Sequence, residues 1–304
     1  MLPVLFLIIP CLVMSYLMWL YKKLFLKPVS VHGKIVLITG ASSGLGEACA
    51  KKFSFEGGKV ILCARNIDEL KRVKNEICKN EDNVWPVINQ LDITNPNDII
   101  KCEQNIRNNF GGIDILISNA GMSQRGSVID TTDDVYTNLM NVNFFGPVRL
   151  IKAFLPAMLL KKQGHIISVG SVQSLIAIPF RAAYSASKHA NNAFFDSLRA
   201  EVADYNVNVT TVNPGYIHTN LSINALSPDG KKHGVMDKST LSGMDPSLVA
   251  CAIYDSVVYP TNELNLADLK SKFAIYIRTL FPSAYFMIMK LRARSEKKSI
   301  KKSL

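Results

Sequence analysis

The chain has no CxxC pair, and none of its six cysteines (Cys11, Cys49, Cys63, Cys78, Cys102, Cys251) has a histidine at ligand spacing, so no metal centre is expected. Several of these cysteines lie inside apolar, regularly patterned segments, where a free thiol behaves as a small hydrophobe. Charge is sparse too: charged residues make up 19% of the chain against 48% hydrophobic, a balance that excludes disorder and provides for a sizeable core. Internal repeats and low-complexity linkers are absent, which leaves one domain as the simple reading of 304 residues.

Acidic residues are outnumbered, 24 to 35, and the +11 formal charge is unevenly placed. The last fifteen residues, KLRARSEKKSIKKSL, carry net +6, and Lys22, Lys23 and Lys27 add three, so everything else carries only +2. A nucleic-acid binder concentrates its basic residues on the folded domain. Basic ends beside apolar segments fit anionic lipid instead. Membrane lipid is therefore an expected partner and nucleic acid is not.

Met1 to Tyr21 lacks charged side chains altogether. As a helix it would be about 30 Å long, the hydrocarbon thickness of a bilayer. Tyr16, Trp19 and Tyr21 sit near one end, where amphipathic rings prefer the interface. Pro10 is tolerated in such a span. A cleaved signal fits less well, because the start has no Lys or Arg, the apolar run is long and no A-x-A-like site follows. The expectation is a single-pass anchor over 1–21 and a basic linker over 22–33. By the positive-inside bias, the lysines behind the span keep the domain in the cytosol. The terminal Lys301-Lys302-Ser303-Leu304 resembles the dilysine signal that retrieves membrane proteins to the endoplasmic reticulum.

From residue 34 onward short apolar runs alternate with helical patterns. KIVLIT (34–39), KVILCA (59–64), VWPVINQ (84–90), IDILIS (113–118), HIISVG (165–170) and VNVTTVN (207–213) predict strands. They are continuous rather than alternating, as strands covered on both faces are. Stretches such as GEACAKKFSFEG and DELKRVKNEICK carry helical periodicity. The alternation predicts an α/β fold, a doubly wound parallel sheet with right-handed crossovers, over 34–265.

The first strand runs into Thr39-Gly40-Ala41-Ser42-Ser43-Gly44-Leu45-Gly46. Glycines at a strand-to-helix turn let the backbone approach a pyrophosphate, which the helix N-terminus attracts. The second strand ends in Ala64-Arg65-Asn66. An acidic residue there would bind the 2′-hydroxyl of NAD; Arg65 suits a 2′-phosphate and hence NADP(H). Asp92, after the third strand, is placed to accept from an adenine amine, and Asn119-Ala120-Gly121, after the fourth, allows backbone to lie against a cofactor.

In FRAAYSASKHA (180–190), Tyr184 and Lys188 stand four apart, on one face of a helix. An ammonium about 4 Å from the phenol, at an effective dielectric of about 20, favours the phenolate by roughly 4 kcal/mol. That is enough to bring a pKa of about 10 close to neutrality, where a phenol can give and take a proton at a carbonyl oxygen. Ser171 lies upstream at the C-terminal end of a strand, where open α/β sheets hold ligands.

Together, TGASSGLG, SNAG, NVNFFG, Ser171, YSASK and Asn213-Pro214-Gly215 resemble the short-chain dehydrogenases/reductases, in order and spacing, over about 34–265. The resemblance implies a Rossmann-type domain and a catalytic set of Asn143, Ser171, Tyr184 and Lys188. Tyr184 would be the acid/base, Ser171 would polarise the carbonyl oxygen, Lys188 would hold the nicotinamide ribose and lower the tyrosine pKa, and Asn143 would position a relay water. It implies cofactor contacts at Thr39, Gly40, Ser42, Ser43, Gly44, Leu45, Gly46, Arg65, Asp92, Asn119, Ala120, Gly121, Tyr184, Lys188, Pro214, Gly215, Ile217 and Thr219. A homodimer through the helices carrying NVNFFG and YSASK is implied as well. One departure is Ser43, which stands where NADP-preferring relatives often carry a basic residue. Finer strings, including GMSQRG, IPFR, AFFD and PGYIHTNLS, resemble a membrane-bound branch of the endoplasmic reticulum whose domain is usually lumenal, at odds with the flanking charge.

Residues 215–245 are Gly-, Ser- and Lys-rich after the first few, as a substrate-closing loop is. Ser171, Gln173 and Tyr216, with Ser174 and His218, are the expected substrate contacts. KFAIYIRTLFPSAYFMIMKL (272–291) is apolar but interrupted by Lys272, Arg278 and Lys290, so 266–304 reads as a segment lying in a membrane interface. An active site near two membrane contacts favours a lipophilic substrate: a sterol, a retinoid or a keto-lipid. The function expected is an NADP(H)-dependent carbonyl–alcohol oxidoreductase; an NADPH-binding membrane scaffold or sensor with little turnover is the alternative.

Overall fold

The computed structural model describes residues 28–78 and 85–303, with side chains to residue 297. The expected anchor and the first part of the linker lie outside the described residues. In chain order the elements are β1 (Ile35–Thr39), α1 (Gly44–Phe55), β2 (Lys59–Ala64), α2 (Ile67–Ile77), β3 (Val87–Gln90), α3 (Pro96–Phe110), β4 (Ile115–Ser118), α4 (Asp133–Met140), a π-helical turn (Asn141–Phe145), α5 (Gly146–Lys161), β5 (Gly164–Val169), α6 (Ala182–Glu201), β6 (Val207–Pro214), α7 (Lys238–Leu241), α8 (Pro246–Val258), β7 (Glu263–Leu266), α9 (Leu269–Leu280) and α10 (Pro282–Ser303).

The sheet has seven strands in the order β3-β2-β1-β4-β5-β6-β7, and every pairing is parallel. The order reverses direction between β1 and β4, so a crevice opens at their C-terminal ends, the ligand position of open α/β sheets. The continuous apolar runs have their reason here. In β1 and β2, Val36, Ile38, Val60 and Leu62 face one core, against α1 and α8, while Leu37, Ile61 and Cys63 face the other, against α3, α5 and α6.

The sequence reading misses β7. Its residues, ELNL, alternate polar and apolar and cover only the edge, so they carry no buried run. The boundary at 265 therefore cuts through the last strand. The linker reading is also corrected: Val29 N–H donates to the Val258 carbonyl at 2.9 Å and Val31 is buried in the core, so the domain begins before residue 34. Cys251, on α8, is exposed, against the expectation of buried thiols; Cys49, Cys63 and Cys102 are buried.

His165 fixes a pH dependence. The Thr210 hydroxyl donates to the Thr261 carbonyl and so accepts from His165 Nε2 at 2.8 Å, which makes Nε2 the protonated nitrogen of a neutral ring. Burial pushes this imidazole down to about 4. The unfolded chain, with an ordinary value of about 6.5, takes up a proton first as pH falls. The stabilisation is complete above about pH 6.5 and is lost between about 6.5 and 4, amounting to about 3 kcal/mol. Urea midpoints at neutral pH and near pH 4.5 should diverge strongly for the wild type and less for His165→Gln, which keeps a donor and does not titrate.

Candidate active site

The crevice is a cleft of about 870 Å³ that opens along the C-terminal ends of the strands. One end is built by the β1–α1 turn. Gly40 and Gly44 both have positive φ, 67° and 55°, which only glycine adopts at little cost. A Cβ on Gly40 would stand 2.9 Å from Asn119 Nδ2 and 3.0 Å from Ala120 Cα, so the turn is packed directly on the end of β4. Thr39 is the brace. Its hydroxyl accepts from the backbone N–H of Asn119 and Ala120, at 3.0 and 3.1 Å, while Asn119 Nδ2 donates to the Thr39 carbonyl at 2.9 Å.

Ser43 is the N-cap of α1 but makes no side-chain cap hydrogen bond, so the first N–H groups of the helix are left for another acceptor. Ser42, Ser43, Gly44 and Leu45 line the cleft at this point. Gly46 does not. It faces the turn, where its missing Cβ would lie 2.2 Å from the Gly40 carbonyl oxygen. The donor set fits a nicotinamide dinucleotide: an uncapped helix N-terminus for the pyrophosphate, and Arg65 further along. Arg65 is exposed at the end of β2, and among the described residues it forms no ion pair. Arg72, the next arginine, is occupied by Glu47, Glu69 and Glu76, at 2.7, 2.8 and 2.6 Å. Asp92 lines the cleft, but its Oδ1 already accepts from the backbone and hydroxyl of Thr94, at 2.9 and 2.8 Å.

The other end of the cleft holds Ser171, Tyr184 and Lys188, all buried and all lining it. Ser171 caps a short 3-10 turn, accepting from Gln173 N–H at 3.1 Å, which leaves its own O–H free to donate. The Tyr184 phenol is within its hydrogen-bonding reach. The expected lowering of the Tyr184 pKa by Lys188 is corrected. Its ammonium lies 5.9 Å from the Tyr184 ring centroid and donates to the Val169 carbonyl at 3.0 Å. Burial, not the lysine, dominates the phenol. It holds Tyr184 above its ordinary value, against the lowering effects of the Ser171 hydrogen bond, Arg125 and Arg181. The same burial pushes Lys188 down to about 8.

Asn143 lies behind the cleft wall in the π-helical turn rather than in the cleft. Both of its amide hydrogens are used: Nδ2 donates to the Met122 carbonyl and to Ser187 Oγ, and Oδ1 accepts from Met122 N–H, each at 2.9 Å. Its side chain therefore clamps the loop after Gly121. Ala120, Gly121, Pro214, Gly215, Ile217 and Thr219 line the cleft as expected, as do Gln173 and Tyr216; Ser174 and His218 do not.

Sequence reasoning passed over the charge beside Tyr184. Arg125 and Arg181 both line the cleft and share one carboxylate oxygen, Asp237 Oδ2, at 2.6 and 3.1 Å. His233, 3.9 Å from the other oxygen, is held below its ordinary value, first by burial and then by Arg125, so it adds no charge at neutral pH. Two guanidiniums thus face one anion, and burial with the neighbouring Arg125 pushes Arg181 down to about 10. Phe180, just before Arg181, takes a left-handed backbone, φ 59°, which is rare for a bulky residue. The only sequence signal was Arg181 standing three residues before Tyr184; Asp237 is too distant in the chain for spacing to reveal it.

A family model described as short chain dehydrogenase matches residues 34–229. Dehydrogenase/reductase SDR family member 7B of Mus musculus is 45% identical over 271 residues, 88% of this chain and 84% of the relative. Dehydrogenase/reductase SDR family protein 7-like of Drosophila melanogaster is 46% identical over 273 residues, 89% and 84% of the two chains. Among solved structures, a metagenomic short-chain oxidoreductase in complex with NADP superposes with a TM-score of 0.65 at 26% identity, covering 79% of this chain and 99% of that one. A short chain dehydrogenase/reductase from Burkholderia phymatum in complex with NAD gives 0.73 at 21%, covering 83% and 94%.

Proposed function

The chain belongs to the short-chain dehydrogenase/reductase family, and from that premise we propose that it is a membrane-anchored, NADP(H)-dependent carbonyl reductase of the endoplasmic reticulum acting on a lipophilic substrate. One observation carries the reading: a buried phenol, Tyr184, kept protonated beside the hydroxyl of Ser171, in the same cleft as an uncapped helix N-terminus. A reduced nicotinamide held there would supply the hydride for a carbonyl carbon. Tyr184 gives its proton to the carbonyl oxygen, and Ser171 donates a hydrogen bond to the same oxygen. Lys188, steered by the Val169 carbonyl, keeps a positive charge beneath the site below about pH 8. With its pKa held above the ordinary value, Tyr184 carries its proton at neutral pH and so stands in the form that donates to a carbonyl oxygen.

The NADP preference rests on Arg65, an exposed guanidinium at the end of β2 that forms no ion pair among the described residues. A similar solved structure holds NADP. Removing a charge-assisted hydrogen bond from an exposed position costs about 1.5 kcal/mol, or roughly tenfold. Arg65→Ala should therefore raise the NADPH KM roughly tenfold while leaving that for NADH nearly unchanged. Equal changes for both cofactors would remove the 2′-phosphate role.

Membrane anchoring rests on the uncharged run Met1 to Tyr21. The arginine pair sorts the lipophilic candidates. A sterol or retinoid would leave the excess positive charge of Arg125 and Arg181 facing apolar carbon, which is costly. A keto-lipid with an anionic group near its carbonyl would neutralise it. The test is NADPH consumption by the detergent-solubilised protein over a panel of lipophilic ketones, neutral and anionic. Turnover confined to anionic keto-lipids supports the reading, and turnover confined to small polar carbonyls overturns it.

A further inference from the structure

The C-terminal helices present apolar side chains on the side that the domain does not cover. On α9, Leu269, Phe273, Tyr276 and Leu280 are 83%, 65%, 65% and 65% exposed. Their spacing of four, three and four residues puts them in one stripe along the helix. On α10, Met287 and Leu291, four apart, are exposed as well. The opposite side of α9, with Ala274, Ile275 and Ile277, packs on a separate small core of Val172, Ile176, Ala267 and Tyr285. Alpha-9 is therefore apolar on both sides, and only one of them is explained by the fold.

The attachment places the stripe beside the active site. Val172 belongs both to that small core and to the cleft lining. The Tyr285 hydroxyl donates to the Ala177 carbonyl, and Arg292 Nη2 reaches the hydroxyl of Tyr216, a cleft residue, at 3.5 Å. The two helices are thus pinned to the rim of the cleft at its substrate end.

Charge selects the occupant. Residues 269–304 contain ten Lys and Arg and one acid, Glu296, so nearly all of the chain's +11 lies here. Lys270, Arg278, Lys290 and Arg294 are exposed on the same two helices. A second copy pairing through this face would bring two such charges together. An anionic bilayer surface would attract both the charge and the stripe. We propose that α9 and α10 form a lipid-docking surface that lies in the interface of an anionic membrane and sets the mouth of the cleft against it, so that substrate passes from the lipid into the site without crossing water. The inference rests on the reductase reading only for the substrate's path; the docking itself is read without substrate.

The experiment uses the full chain reconstituted into phosphatidylcholine vesicles, with and without phosphatidylserine, containing a lipid that bears a doxyl quencher at shallow depth. Phe273→Trp and Leu280→Trp place reporters on the stripe. Phe55→Trp, at the end of α1 remote from the cleft, is the control; Phe55 is exposed as well. The native Trp19 and Trp85 contribute equally to all three variants. Both stripe reporters should emit further to the blue and be quenched several-fold more strongly than the control, more so with phosphatidylserine. Quenching equal to that of the control overturns the proposal. So does a blue shift that appears without vesicles and grows with protein concentration, which would assign the face to a second copy. Loss of ketone turnover in the wild type leaves the quenching result standing, so the two readings fail separately.

Discussion

Tyr184→Phe should lower kcat/KM for any ketone by about a thousandfold, within the range that a positioned general acid contributes, and leave NADPH binding within a few-fold of the wild type. The ring stays and fills the same space among Val135, Leu139 and Ala183. Only the hydroxyl goes, and with it the proton for the carbonyl oxygen. The fold is spared as well, since the lost partner is the Ser171 hydroxyl, which keeps its bond from Gln173 N–H at 3.1 Å. Steady-state kinetics together with NADPH fluorescence titration separate the two effects. Binding that persists while turnover disappears marks an enzyme. Tight NADPH binding with no Tyr184-dependent turnover on any ketone, or on the matching alcohols with NADP⁺, would favour a cofactor-binding scaffold or sensor.

Gly46→Ala should abolish NADPH binding and destabilise the domain. The new methyl would lie 2.2 Å from the Gly40 carbonyl oxygen and 2.6 Å from Asn119 Nδ2. Neither neighbour can yield cheaply. The first is backbone in a turn that already needs positive φ, and the second is tied to the Thr39 carbonyl at 2.9 Å. Helix α1 would have to move off the turn, loosening Leu45, Cys49 and Phe53 in the core and misdirecting the N–H groups at its start. Such overpacking costs about 3 kcal/mol, which for a domain of this size lowers Tm by about 6–12 °C. Gly215→Ala is the contrast, since its Cβ would meet nothing closer than 3.4 Å and its φ is not in the left-handed region. Thermal melts and NADPH titration of both variants check the difference. A Gly46→Ala protein that binds NADPH normally would remove the turn from the cofactor site.

Helix–strand alternation, the glycine turn and the Ser171–Tyr184–Lys188 set were legible because each is written locally. A strand covered on both faces reads as an apolar run, a turn at positive φ favours glycine, and residues four apart on a helix share a face. Strand β7 was not legible, because an edge strand buries too little to leave a run. The clamp that Asn143 makes was not legible either, because its type does not say that its amide bonds to Met122 and Ser187.

The sequence by itself thus determined the doubly wound sheet, the end of it that holds a ligand, and the identity of the residues there. The tertiary structure alone decided how those residues behave. Spacing placed an ammonium near a phenol and argued for a lowered pKa. Burial of both groups, with Lys188 turned to Val169, raised the phenol instead. Only folding brought Asp237 to Arg125 and Arg181, from 112 and 56 residues away, and left two cations sharing one anion beside the acid. Desolvation and net charge in a cleft are sums over every element packed around it, and no local stretch of chain carries that sum.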